Sequence, residues 1–118
     1  MDLNKASSAH TDWKVKLRMA IAKKERLDAA SIGADNCCAL GQWLHAEGRA
    51  VHGRSAVFSD LVKKHAAFHR EAGAVAQAIN AGQYDKASGM LEAGTPYVSA
   101  SSAVVTAILG FKKTLHTA

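Results

Sequence analysis

Leu3, Ala6, His10, Trp13, Leu17 and Ala20 follow one another at alternating steps of three and four, the spacing of one helix face. Ile21 and Leu27 extend the stripe, while Lys16, Arg18, Lys23 and Glu25 fall mostly off it. The pattern predicts a long first helix over roughly residues 3 to 29. The turn formers of SIGADN then predict a loop. Asp35 or Asn36 can cap a short second helix that contains CCALGQWLHAEG, and Gly48 would end it. RAVHGRS reads as a connector, with Ser55 as the cap of the next helix. Phe58, Leu61, His65, Phe68, Ala72, Val75 and Ile79 step by three and four without a break, the seam of a helical bundle. Asn80-Ala-Gly82 stops that helix. A last segment starts near Gln83 and is interrupted at Gly94 and Pro96. Beyond it Tyr97, Ser101, Val104, Ile108, Phe111 and Leu115 resume the helical step.

No segment alternates with period two for long enough to build a sheet. The fold class is therefore all-α. The expected architecture is an antiparallel four-helix bundle with a short extra helix carrying a cysteine. Its 118 residues suit one domain over residues 1–118, and no internal repeat is visible. A hydrophobic fraction of 48% with 21% charged residues supports an ordinary core rather than disorder.

Charge and targeting narrow the function. The net charge of +5 invites a nucleic-acid reading. Yet Lys14, Lys16, Lys23, Lys24, Lys63, Lys64, Lys112 and Lys113 are scattered among apolar positions, and no nucleic-acid motif accompanies them. They read as solvated helix faces, so no nucleic-acid partner is expected. No run of about 18 apolar residues is present, which excludes a membrane-spanning helix. The opening MDLNKASSAHTDWK has no apolar signal region, and a cytoplasmic location is the expectation. Cys37 and Cys38 are adjacent, and vicinal cysteines bridge each other only with strain. Reduced thiols or a metal thiolate are the better reading.

Two seams carry histidine where Leu or Ile would be ordinary. His10 occupies such a position in the first helix and His65 one in the third, with His69 a turn further along the same flank. A buried imidazole needs a hydrogen-bond partner or a metal, at a cost of about 1–3 kcal/mol if it finds neither. A lone buried histidine or a lone His-x-x-x-His pair is most often structural. Taken together with a cysteine at the start of the short helix, however, three imidazoles and one thiolate match zinc and fill a tetrahedron. A cysteine at a helix N-terminus is also expected to have a lowered pKa. Helical phase does not decide between Cys37 and Cys38. Trp13 and Trp43 read as core packing near the metal, and Gly41 as a point of close approach. His45, His52 and His116 read as solvated, and Ser101 as a small helix–helix contact.

The stretch Cys-Ala-Leu-Gly-Gln-Trp-Leu at 38–44 lies between His-Thr-Asp-Trp at 10–13 and His-Ala-Ala-Phe-His at 65–69. This resembles the chemoreceptor zinc-binding (CZB) family, whose signature is Cys-x-(Leu/Phe)-Gly-x-Trp between a first-helix His and a paired His-x-x-x-His. The likeness extends over nearly the whole chain and includes the segment from Gly82 to Ala87. It assigns His10, Cys38, His65 and His69 as zinc ligands and leaves Cys37 outside. It implies a bacterial regulatory or sensor domain tied to chemoreceptors or diguanylate cyclases, often a homodimer, whose zinc-bound thiolate responds to oxidants. The 118 residues hold no such output domain, so the chain is expected to be either a free-standing member or an excised piece.

Three other readings compete. A zinc hydrolase needs an open coordination position and a carboxylate base, whereas four protein ligands close the shell. The nearest acids in sequence, Asp12, Asp60 and Glu71, form no His-Glu-x-x-His arrangement, so catalysis is not expected. A histidine phosphotransfer domain needs an exposed histidine, and His65 lies in an apolar seam. A helical interaction module, stabilised by metal or free of it, is the plainest alternative to a sensor.

Overall fold

The computed structural model describes residues 1–115, so His116 lies outside the described residues. Every element among them is helical: α1 (Leu3–Lys23), α2 (Ala29–Gly33), α3 (Ala39–Leu44), α4 (Glu47–His52), α5 (Ala56–Asn80), α6 (Tyr84–Met90) and α7 (Pro96–Leu115). The all-α expectation holds. Three helices are long and four are short.

The seams meet in the middle. Leu17, Leu61, Phe68, Ala72, Val75, Val104 and Ile108 are fully buried, and Phe58, Ile79, Tyr97 and Phe111 nearly so. Ser101 is half-buried, and Leu115 at the end of its stripe is exposed. Cross-contacts give the helix directions. Phe58 meets Phe111 and Phe68 meets Tyr97, so α5 and α7 run antiparallel. Lys112 Nζ donates to Asn4 Oδ1 at 2.7 Å, which sets α7 antiparallel to α1 as well. His10 touches Phe68, and Leu27, just past α1, is held by Asn80 at the end of α5. Thus α1 and α5 run the same way, and the chain must return between them. The short helices α2, α3 and α4 make that return, and they carry the cysteine.

Several boundaries differ from the periodicity. α1 stops at Lys23 because Lys24 adopts a left-handed conformation (φ 55°). Its N–H and that of Glu25 fold back onto the last turn. Leu27 still points inward, but as part of a loop. Asn80 grips it from both sides: the Leu27 N–H donates to Asn80 Oδ1 (2.8 Å), and Asn80 Nδ2 donates to the Leu27 carbonyl (2.7 Å). The expected SIGADN loop is half helix, since Asp28 caps α2 by accepting the Ser31 N–H and hydroxyl. The cap of α3 is neither Asp35 nor Asn36 but Cys38 itself, whose sulfur accepts the Gly41 N–H at 3.3 Å. Gly48 does not end that helix. α3 ends at Leu44, and Gly48 lies inside α4, buried where Trp43 leaves no room for a Cβ. Most of the expected RAVHGRS connector is therefore helical. Ser55 caps α5 as its sequence suggested.

α2 crosses α5 at two glycines. A Cβ on Gly73 would lie 2.7 Å from the Gly33 Cα. That contact brings the α2 backbone onto α5 beside His69.

Candidate metal centre

His10 comes from α1, His65 and His69 from α5, and Cys38 from the start of α3. The helical step puts the three imidazoles in the apolar seams, where all three are buried. The four side chains offer donor atoms that all lie within 4.8 Å of one another. His65 Nε2 is 3.1 Å from His69 Nε2, and His10 Nε2 is 3.4 Å from His69 Nε2. The Cys38 sulfur lies 3.2 Å from His65 Nε2, 3.5 Å from His69 Nε2 and 4.0 Å from His10 Nε2. Zinc–nitrogen bonds of about 2.0–2.1 Å and a zinc–sulfur bond of about 2.3 Å imply tetrahedral edges of about 3.3 Å (N to N) and about 3.6 Å (S to N). Five of the six separations scatter around those edges, and the sixth, His10 to His65, lies within 4.8 Å. The donor set and its spacing therefore fit one tetrahedral zinc ion. No carboxylate belongs to the cluster.

Hydrogen bonding on the far side of the rings orients the donors. His10 Nδ1 donates to the Ala6 carbonyl at 2.7 Å, one turn back on its own helix. His69 Nδ1 donates to the Ile32 carbonyl at 2.8 Å. A carbonyl only accepts, so the proton of each neutral ring sits on Nδ1 and leaves Nε2 bare. Fixing the tautomer in this way is the usual task of partners outside a metal's ligand shell. It also explains α2: the Gly33–Gly73 crossing delivers the Ile32 carbonyl to His69. His65 Nδ1 is buried with no partner among the described residues. Its ring is held by edge packing on His69 and His10, at centroid distances of 4.5 and 5.0 Å.

Two bare imidazole nitrogens 3.4 Å apart cannot hydrogen-bond to each other. A shared cation makes such a grouping favourable. Burial lowers the pKa of all three histidines, because the protonated ring would lose its hydration. His65 falls furthest, to about 3, and the neighbouring His69, His10 and His45 add to the effect of burial. For His10, burial is opposed by the Ala6 carbonyl and reinforced by His69. For His69, it is opposed by the Ile32 carbonyl and by Asp35. The imidazoles are thus held neutral, as metal ligands must be.

The expectation of a lowered Cys38 pKa is overturned. Burial pushes the thiol up, and the N–H groups of Gly41, Leu40 and Cys38 itself recover only part of that. Asp35 nearby adds to the rise. The helix start is present, but a six-residue helix offers little dipole against desolvation.

Position separates the two cysteines where helical phase did not. Cys37 is exposed, and its thiol faces Asn36. Gly41 permits the close approach expected of it: a Cβ there would overlap the Asp35 carbonyl oxygen and come within 3.1 Å of His65 Cε1. Trp13 borders a hollow of about 210 Å³ beside Cys38 and His69. Trp43 packs at the far end of α3 instead, with Phe58, Phe111 and His52. His52 is therefore not simply solvated, since its ring also meets Phe111 edge-on at 5.1 Å. His45 is exposed but paired with Asp35, Nε2 to Oδ2 at 2.9 Å. Ala6 and Ile32 orient the rings through backbone carbonyls, so nothing in their side chains marks them for that role.

A small helical domain with three buried imidazoles and one thiol in zinc-like array is a zinc-binding domain. Residues 10–76, more than half of the chain, match the family model described as the chemoreceptor zinc-binding domain. The chain belongs to that CZB family. Searches of curated proteins and of solved structures returned no match.

Proposed function

We propose that this chain is a bacterial regulatory domain in which His10, Cys38, His65 and His69 hold zinc. Zinc occupancy, or oxidation of the Cys38 thiolate, sets the position of α3 and so modulates a signalling output of the chemotaxis or cyclic-di-GMP kind. One observation carries this reading: the Cys38 sulfur lies among the three imidazole nitrogens and is also the N-cap of α3. Loss of the sulfur removes the ligand and the cap together. What then holds the six-residue helix is Leu40 and Leu44 in the core and the half-buried Trp43. Structural zinc sites in peptides are worth about 10–16 kcal/mol. About 5.5 kcal/mol is enough to throw a two-state element from one position to the other.

Four protein donors leave no open coordination position, which supports a role without catalysis. A homodimer, with a receptor or diguanylate cyclase as partner, belongs to the same proposal. The exposed Val15 and Met19 on α1 and Leu109 on α7 are apolar surface available to such partners. No helix among the described residues is long and apolar enough to cross a membrane, in keeping with the cytoplasmic location proposed here.

Cys38→Ala is expected to weaken zinc binding by more than about 100-fold, beyond the 10–100-fold carried by outer-shell partners. Amide exchange in residues 39–44 should rise with it. A chelator competition titration reads the affinity, and hydrogen exchange reads the helix. Undiminished zinc affinity would sink the ligand assignment; unchanged exchange would sink the switch.

A further inference from the structure

At the other end of α3 lies a second feature, lined by none of the four metal donors. A half-open hollow of about 300 Å³ is framed by the end of α3, by α4 and by the first turns of α5. Its floor is apolar, formed by Leu44, Phe58 and Val62. Its rim carries Arg49 and Lys63 with Ser59, and none of its lining residues is acidic. Three other hollows each set an acid beside a cation: Asp60 with Lys64, Asp28 with Arg26, and Glu71 with Lys86. Arg49 and Lys63 are exposed, and their side chains make no ion pair or hydrogen bond among the described residues. His45, also at the rim, is already taken by Asp35.

We propose that this hollow docks an acidic peptide segment of a partner protein, with one hydrophobic side chain on the Leu44–Phe58–Val62 floor and flanking carboxylates on Arg49 and Lys63. Charge complementarity selects the sign of the occupant, since two uncommitted cations face an acid-free rim. Shape selects a peptide over a free small molecule. About 300 Å³ is the lower limit of small-ligand pockets, and a half-open hollow would leave much of such a ligand in water. A peptide can seat one side chain here and continue along the surface. Because Leu44 and His45 close α3, and Cys38 opens it, the occupant and the metal share one six-residue helix. Coupling between them rests on the switch proposed above, and linkage would make it reciprocal.

The test uses the 118-residue chain loaded with zinc and the peptide acetyl-Glu-Glu-Leu-Phe-Glu-Glu-amide, followed by isotope-edited NMR. Binding should move the amides of Leu44, Arg49, Ser59, Val62 and Lys63. Arg49→Glu combined with Lys63→Glu should raise Kd by about tenfold or more while zinc content and melting temperature stay unchanged. Replacing the glutamates by glutamine, or Leu-Phe by Gly-Gly, should each weaken binding. No binding, binding indifferent to the charge reversal, or shifts elsewhere on the surface would overturn the site. Octanoate binding as tightly as the peptide would overturn the partner and leave a small-anion pocket. Stripping zinc should weaken the peptide. A Kd equal with and without zinc, still sensitive to the charge reversal, would overturn the switch alone and leave the docking site standing.

Discussion

At neutral pH the four donors start from different protonation states. Burial depresses the three histidines, so their rings are neutral and ready to bind. Burial raises Cys38, so its thiol keeps a proton that the metal must displace. Zinc uptake at pH 7 should therefore release about one proton per ion, and about none in Cys38→Ala. Calorimetry in buffers of different ionisation enthalpy counts it; two or more protons would mean that the imidazoles were charged. Tyr97 offers a pH test away from the metal. Its hydroxyl is buried without a partner among the described residues, and burial raises its pKa from 10.0 to about 12. The folded state holds that proton longer than the unfolded chain does. This contribution is intact below pH 10 and is lost as the pH rises toward about 12. Tyr97→Phe should remove this alkaline loss, and at neutral pH it should be neutral or stabilising, since an orphaned buried hydroxyl goes with it. Melting temperature against pH checks both expectations; a steeper alkaline fall in the variant would contradict them. The ligating histidines were legible because imidazole is out of place in an apolar seam. Helical phase left the choice of cysteine open; the Cys-Ala-Leu-Gly-Gln-Trp stretch pointed to Cys38, and the folded chain places Cys37 outside.

The elements divide in the same way. α5 and α7 followed from their three–four stripes, and α1 from all but its end. Long amphipathic helices are written in local periodicity because one face must be buried. Helices of five or six residues have no such signature. They are too short to persist alone and exist through caps and tertiary contacts. Cysteine is not among the usual caps, so the start of α3 was read two or three residues early. The end of α1 was overrun because a lysine, not a glycine, takes the left-handed position. The α2–α5 crossing was hidden altogether, since Gly33 and Gly73 meet only in the folded chain. That crossing predicts a measurable effect. Gly73→Ala drives a methyl into the Gly33 backbone, which cannot yield as a side chain would. A loss of about 1–3 kcal/mol is expected, the range for overpacking. The Ile32 carbonyl should also retreat from His69, and zinc affinity should fall. Denaturant unfolding and chelator competition measure the two effects; an unchanged affinity would detach α2 from the metal site.

For the whole molecule, one zinc ion on the four donors would tie the return segment to two of the long helices. α1 supplies His10, α5 supplies His65 and His69, and the return segment supplies Cys38. The hydrophobic core links α1, α5 and α7 without help. In the return segment α2 is fixed on α5 by the glycine crossing and the buried Ile32, and Asn80 grips Leu27, whereas α3 and α4 are held more lightly, by the buried Leu40 and Leu44 and by Trp43. Zinc should matter most there, so removal of the metal should loosen residues 39–52 more than the long helices. Zinc-edge X-ray absorption on the purified chain tests the central claim most directly. The account predicts one zinc per chain, with three nitrogen neighbours at about 2.0–2.1 Å and one sulfur at about 2.3 Å. A shell without sulfur, a shell with two sulfurs, or a chain that binds no stoichiometric zinc would contradict it.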